Sequence, residues 1–214
     1  MTLDPALLGA DQALQQLLER YAFVDFLNPI NAPEARGAWE RSGGAPPFEY
    51  RRPVWADDAR AALDRIAIPD HPFAPVLRSA VEETHLLIVA LASRTAGAFD
   101  ALALHAGWHP GPVAVPERRL PAARHDPAIS SAEMAAPLTR TLRPRGCDWR
   151  VRFDGTLASR VLVDAPRREL RVHPHARFRE SDRDTLVAHE VDVHVWRSLN
   201  GSAQPLALFR TGLP

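Results

Sequence analysis

The sequence of 214 residues contains no lysine, a single cysteine, two methionines and two tyrosines. All 26 basic residues are therefore arginine, a composition that is typical of a GC-rich bacterial genome. The lone Cys147 excludes an intramolecular disulfide framework and a cysteine-based zinc cluster. This shortage of cysteine favours a reducing cytoplasm as the location of the protein.

The sequence also lacks a charge excess and a long apolar run. Its 26 basic residues are balanced by 26 acidic ones, so neither nucleic acid nor an anionic membrane surface is indicated as a partner. The most apolar stretch, HLLIVALA from His85, is much too short to cross a bilayer, and the N-terminus does not resemble a secretory signal. We expect a cytoplasmic protein without a membrane partner, and its oligomeric state stays open.

The first half of the chain has the pattern of a helical region. Apolar residues at three- and four-residue spacing predict an amphipathic helix over 5–27. A proline-rich loop with aromatic anchors at Phe48 and Tyr50 follows, and after it the pattern predicts a short helix and one or two long ones. We therefore predict a mainly helical region over residues 1–125.

The second half changes to a strand pattern and then ends in one helix. Alternating and β-branched residues over 149–173, with the turn sequence DAPRRE, predict a small antiparallel sheet with a hairpin. Ser181 is the predicted N-cap of the last helix, and Asn200 with Gly201 is its predicted end. The predicted fold class is α+β, with residues 126–214 as the second region.

This last helix carries the pattern H-E-V-D-V-H, in which His189 and His194 are five residues apart. On an ideal α-helix, five residues rotate by about 500°, so the two side chains point about 140° apart and cannot share one ion. A π-bulge among residues 191–193 absorbs the extra residue and brings both histidines to one face. Glu190 would then lie beside the metal, where a general base belongs. The alternative is a helix whose histidines have no metal.

The other histidines and the cysteine give weaker signals. His173 and His175 are two residues apart at the end of a strand, which fits an exposed pair better than a metal pair. Cys147 fits a buried or incidental thiol better than a nucleophile, although the adjacent arginine Arg145 would favour its thiolate. Serine catalysis is not indicated because the chain has no G-x-S-x-G elbow, and SGGAPP lacks the lysine of a phosphate loop.

The segment TLVAHEVDVHVWRSLNGSAQPLALFRTGLP resembles the H-E-x-x-x-H segment of the tyrosine carboxypeptidase-like metallopeptidases, the family of the microtubule-associated tyrosine carboxypeptidase. Bacterial members are labelled flavohemoglobin expression-modulating QEGLA-motif proteins. Upstream, LNPINAP with PPFEY is similar to the P-x-N and P-x-F-x-Y elements of that family, and RTAGAFDALALHAGWHP is similar to its F…G…P stretch. The resemblance covers most of the chain.

The resemblance implies a zinc-dependent peptidase with His189 and His194 as Zn²⁺ ligands and Glu190 as the catalytic base. It further implies carboxypeptidase-type hydrolysis, in which zinc-bound water attacks the last peptide bond of a peptide or protein C-terminus. The alternative is a regulatory or peptide-binding protein that keeps the fold without turnover.

Two departures from the family pattern affect these expectations. Asp192 stands where a small residue is common in the family, and it adds a negative charge close to the expected metal. The third zinc ligand of the family is the glutamate of E-G-L-A, which follows the R-T-G-L segment, whereas this sequence stops at Pro214. We therefore expect a truncated chain with an incomplete metallopeptidase fold, in which His173, His175 or Asp192 is an alternative source of a ligand.

Overall fold

The computed structural model describes residues 3–108, 127–143 and 148–211. By contacts between Cα atoms the chain divides into two compact units, Met1–Trp108 with Asn200–Pro214, and His109–Leu199. The domain boundary predicted between residues 125 and 126 lies outside the described residues and stays a prediction. The same is true of Cys147 and its neighbour Arg145.

The first unit is helical, as the sequence predicts. Its helices are α1 (Pro5–Arg20), α2 (Val24–Leu27), α3 (Ala32–Ser42), α4 (Ala56–Leu63), α5 (Ala74–Ser93), α6 (Ala96–His105) and, near the C-terminus, α10 (Leu208–Thr211).

Helix α1 shows how the sequence encodes these elements. The Asp4 side chain caps its N-terminus by accepting a hydrogen bond of 2.8 Å from the Ala6 amide, and Pro5 occupies the first turn, where no amide donor is needed. Leu7, Leu14 and Leu17 are buried in the core of this unit. The helix ends at Arg20 and Val24 begins the separate α2, so the single helix predicted over 5–27 is interrupted at Tyr21.

Helix α3 is not among the helices predicted from the sequence, which predicts a proline-rich loop after the first helix. Pro33 lies in the first turn of α3, where proline is tolerated, and Gly43 ends the helix in the left-handed conformation with φ of 66°. The proline therefore begins a helix at this place.

The second unit contains α7, two small sheets and the histidine helix. Its elements are β1 (Ala128–Ser130), α7 (Ser131–Leu142), β2 (Arg150–Phe153), β3 (Val161–Asp164), β4 (Glu169–Val172), β5 (Arg177–Arg179), α8 (Asp182–Val187), a π-helix (Ala188–Val195) and the beginning of α9 (Trp196–Ser202).

The predicted hairpin forms between β3 and β4, which pair antiparallel, but β2 pairs with β4 in parallel. The three-stranded sheet, in the order β2-β4-β3, is therefore mixed, and the expectation of a wholly antiparallel sheet is wrong for β2. The segment between β2 and β3 returns the chain past β4, which periodicity within each strand does not reveal. A second antiparallel pair, β1 with β5, was not predicted. The α+β fold class is confirmed.

The core of the second unit is formed by α7, the sheets and the π-helix. Met134, Leu138, Leu170, Val191 and Val195 are fully buried in it. Helix α7 has a capping box, in which the Ser130 hydroxyl accepts from the Glu133 amide and the Glu133 carboxylate accepts from the Ser130 amide. No helix in the described parts of the chain is long and apolar enough to cross a membrane.

Candidate metal centre

The H-E-V-D-V-H segment lies in a π-helix that extends from Ala188 to Val195. It continues α8 and is followed by α9 without a break. Val191 and Val195 are completely buried, and they fix this helix against the core of the second unit. The widened helical turn that the spacing predicts is therefore present.

Both ends of this helix differ from the prediction. Ser181 occupies the N-cap position, but it has helical backbone angles and its side chain makes no capping hydrogen bond. Asp182 instead accepts hydrogen bonds from the Arg179 amide and the Arg160 side chain. At the other end Asn200 and Gly201 are still within α9, which ends at Ser202.

The π-helix brings the two predicted metal ligands together. The Nε2 atoms of His189 and His194 are 3.2 Å apart, and the two rings are nearly perpendicular at 85°, with centroids 4.7 Å apart. Two nitrogens at 2.0–2.1 Å from one tetrahedral zinc ion are separated by about 3.3 Å. The observed distance therefore fits two ligands of one ion.

Glu190 completes the group. One ligand atom from each of His189, Glu190 and His194 lies within 4.8 Å of the others, and among the described residues this is the set of three such side chains that fits around an ion. Imidazole nitrogens are ligands that bind zinc, and the neighbouring carboxylate is close enough to accept a proton from a water molecule at the same place. The residues present therefore fit a metal, although they do not determine which one.

Burial affects the protonation of two of these side chains. The pKa of Glu190 is raised by burial, against a smaller lowering by the His189 charge. The pKa of His194 is lowered by burial first, and then by the charges of His189 and Arg197. The neutral imidazole is the form that a metal binds, so the environment of His194 favours its role as a ligand.

The alternative ligands named from the sequence do not join this group. The His175 amide donates to Nδ1 of His173 at 3.2 Å, so these two histidines interact with each other. Asp192 is exposed, next to the buried Val191. The third ligand that the family resemblance implies, the glutamate of an E-G-L-A motif, stays a prediction.

The His-Glu-His group on one helix, with two imidazole nitrogens spaced for one ion, is a group that could hold a metal. Residues 113–214 match the family model described as "Microtubule-associated tyrosine carboxypeptidase". The family resemblance is thus confirmed for the region that contains the sheets and the histidine helix. No curated protein and no solved structure matches the chain.

Proposed function

We propose that this protein is a zinc-dependent carboxypeptidase that removes the last residue from a peptide or protein C-terminus. The observation that carries the proposal is the 3.2 Å separation of the His189 and His194 Nε2 atoms within a π-helical H-E-x-x-x-H. The family match over residues 113–214 supports the peptidase class. The family name supplies the carboxypeptidase type.

His189 and His194 are the proposed metal ligands, and Glu190 is the proposed general base. A zinc ion held there would act as a Lewis acid toward the peptide carbonyl and toward water. The Glu190 carboxylate accepts a proton as the oxygen of water attacks the carbonyl carbon of the last peptide bond. It then returns this proton to the leaving amine as the carbon–nitrogen bond breaks.

The substitution Glu190→Gln tests the assigned roles. It removes the base and leaves both imidazoles in place, so we expect zinc content to be retained and hydrolysis to fall by about a hundredfold or more. The assay measures free amino acids released from a peptide mixture by mass spectrometry, and zinc by elemental analysis. Peptides with an amidated C-terminus report whether a free carboxylate is needed.

Two further variants complete the experiment. Asp184→Asn removes the same charge from an exposed position in α8 and should leave both readouts unchanged. His194→Ala should lose the zinc. Full activity in Glu190→Gln would exclude the role of Glu190 as base, and native protein without zinc would exclude the metal. Zinc binding without hydrolysis by the native protein would favour the regulatory or peptide-binding alternative.

A further inference from the structure

The first unit contains a shallow cavity, about half open to solvent, that the proposed metal centre does not use. Its volume is about 470 Å³, and its lining consists of four apolar or aromatic side chains and one cation: Leu27, Phe48, Tyr50, Phe99 and Arg94. Cavities of 300–1,000 Å³ with apolar walls and a few polar groups are typical of sites for small molecules. The cavity is therefore large enough for a compact organic ligand.

The aromatic wall of this cavity is held in place by backbone hydrogen bonds. Asn31 fixes the segment around Phe48, because its side chain donates to the Pro47 carbonyl at 2.9 Å and accepts from the Glu49 amide at 2.8 Å. The Ile30 amide also donates to the Glu49 carbonyl at 2.8 Å. Phe48 and Tyr50 are 44% and 39% exposed, so they are accessible to a ligand although their backbone is fixed.

Arg94 is the cation among the five lining residues, and its contacts with the described part of the chain leave most of its donors available. To those residues the guanidinium donates one hydrogen bond, to the Phe26 carbonyl, and it lies over the Tyr50 ring at 4.4 Å from the centroid. A guanidinium has five N–H donors. No carboxylate pairs with Arg94 within residues 3–108, 127–143 and 148–211.

The backbone of Arg94 adds an independent observation. Arg94 follows α5 in the left-handed conformation with φ of 54°, a position at which glycine costs least. Non-glycine residues in this region are uncommon and occur often at ligand sites. An arginine at this position is explained if its guanidinium contacts a ligand, which glycine cannot do.

We propose that this cavity binds a small carboxylic acid with an aromatic body. The carboxylate accepts hydrogen bonds from the open donors of Arg94, an arrangement in which two N–H groups match two oxygens. The aromatic ring of the ligand packs between Phe48, Tyr50 and Phe99, where offset or edge-to-face contacts are favourable. This site lies within the first unit and does not rest on the proposed metal centre.

Isothermal titration calorimetry of the native chain tests the proposal with three probes. Hydrocinnamate has both the ring and the carboxylate, hydrocinnamamide has the ring without the charge, and acetate has the carboxylate without the ring. We expect hydrocinnamate to bind at millimolar or lower concentration and both other probes to bind at least about tenfold more weakly. Equal binding of the amide would exclude recognition by Arg94, and equal binding of acetate would reduce the site to a simple anion site. No binding of hydrocinnamate would overturn the proposal.

Variants locate the binding. Arg94→Asn removes the cation but keeps a residue that tolerates positive φ, so the backbone is disturbed least. It should reduce hydrocinnamate affinity about tenfold or more, whereas Arg78→Asn, an exposed position in α5, should not. Phe48→Leu changes a partly exposed side chain, and it should weaken the binding of hydrocinnamate without affecting the binding of acetate. Unchanged hydrocinnamate binding in folded Arg94→Asn and in Phe48→Leu would place the ligand elsewhere and contradict the proposal.

Discussion

At the scale of single residues, Gly201 has a role that differs from the helix end assigned from the sequence. A Cβ atom on Gly201 would lie 1.8 Å from the Phe209 carbonyl oxygen, far inside any allowed contact. The segment that leads to Phe209 is held in place, since the buried Asp11 carboxylate accepts hydrogen bonds of 2.6 and 3.0 Å from the Ala207 and Leu208 amides. Glycine is thus required at position 201 by close approach of two backbones.

The substitution Gly201→Ala should therefore destabilise the protein by about 2 kcal/mol or more, because main-chain atoms must move to admit the methyl group. Chemical denaturation measures the free energy of unfolding. Gly9→Ala in the interior of α1 is the matched control, since its added methyl group meets nothing within 4 Å and should stabilise the helix by up to about 1 kcal/mol. Equal effects of both substitutions would contradict the close-approach argument.

At the scale of secondary structure, the π-helix is the element that makes H-E-V-D-V-H a candidate metal site. The extra residue is accommodated by wider hydrogen-bonded turns, so that His189 and His194 come together while Val191 and Val195 both stay in the core. The extra residue between the histidines changes the helix geometry locally. The face of the helix that packs on the core is therefore the same before and after the widened turns.

Deletion of Asp192 tests this account, because it removes an exposed residue and leaves H-E-V-V-H. In that sequence a regular α-helix places the histidines four residues apart on one face. We expect the shortened protein to stay folded and to keep zinc, whereas insertion of an alanine after Asp192 should rotate His194 away and abolish zinc binding. Elemental analysis and circular dichroism provide the two readouts. If the deletion variant lost zinc and the insertion variant kept it, the predicted rotation of the two histidines about the helix axis would be wrong.

At the scale of the whole molecule, some carboxyl groups have lowered pKa values and others raised ones, and their opposite contributions affect how the stability of the fold depends on pH. The pKa of Asp154 is lowered, first by the hydrogen bond from the Thr156 side chain at 2.7 Å, and the Arg171 charge adds to this. The pKa of Asp182 is lowered, first by the hydrogen bond from the Arg179 amide. Burial raises the pKa of Glu83, which is 3% exposed.

These shifts predict the direction of acid denaturation. The stability from Asp154 and Asp182 is fully present above the ordinary aspartate pKa of about 3.9, and it is lost as pH falls through their lower folded-state values. Glu83 acts in the opposite sense: its ionised form is disfavoured in the fold, so its cost is relieved as pH falls through its raised pKa. The free energy of unfolding should therefore fall most steeply below about pH 4.

Two variants measured by denaturation across this pH range separate these effects. Asp154→Asn should lower stability at neutral pH and flatten the decline in acid, whereas Asp100→Asn, at an exposed position in α6, should change neither. Glu83→Gln should reduce the gain in stability as pH falls from neutral toward the ordinary glutamate pKa of about 4.3. An acid decline unchanged in Asp154→Asn would exclude Asp154 as a contributor.

Much of this molecule is predictable from local sequence. Periodicity predicts α4 and the helical region of α5 and α6, although not the break between these two helices. A turn sequence predicts the β3–β4 hairpin, and the five-residue histidine spacing predicts a widened helix. These features depend on residues that are close together in the chain. Local backbone preference and local side-chain spacing are therefore enough to specify them.

The remaining features depend on contacts between distant residues. The parallel pairing of β2 with β4 depends on the path of the chain between them, and the need for Gly201 depends on Phe209. The Arg94 cavity is lined by residues of α2, of the Phe48 segment and of α6, and by Arg94 itself just after α5, which are far apart in sequence. The widened histidine helix can be predicted from the sequence because its pattern resides in six consecutive residues. Only the tertiary structure decided the sheet order, the close backbone approach and the Arg94 cavity, because packing between distant segments creates them.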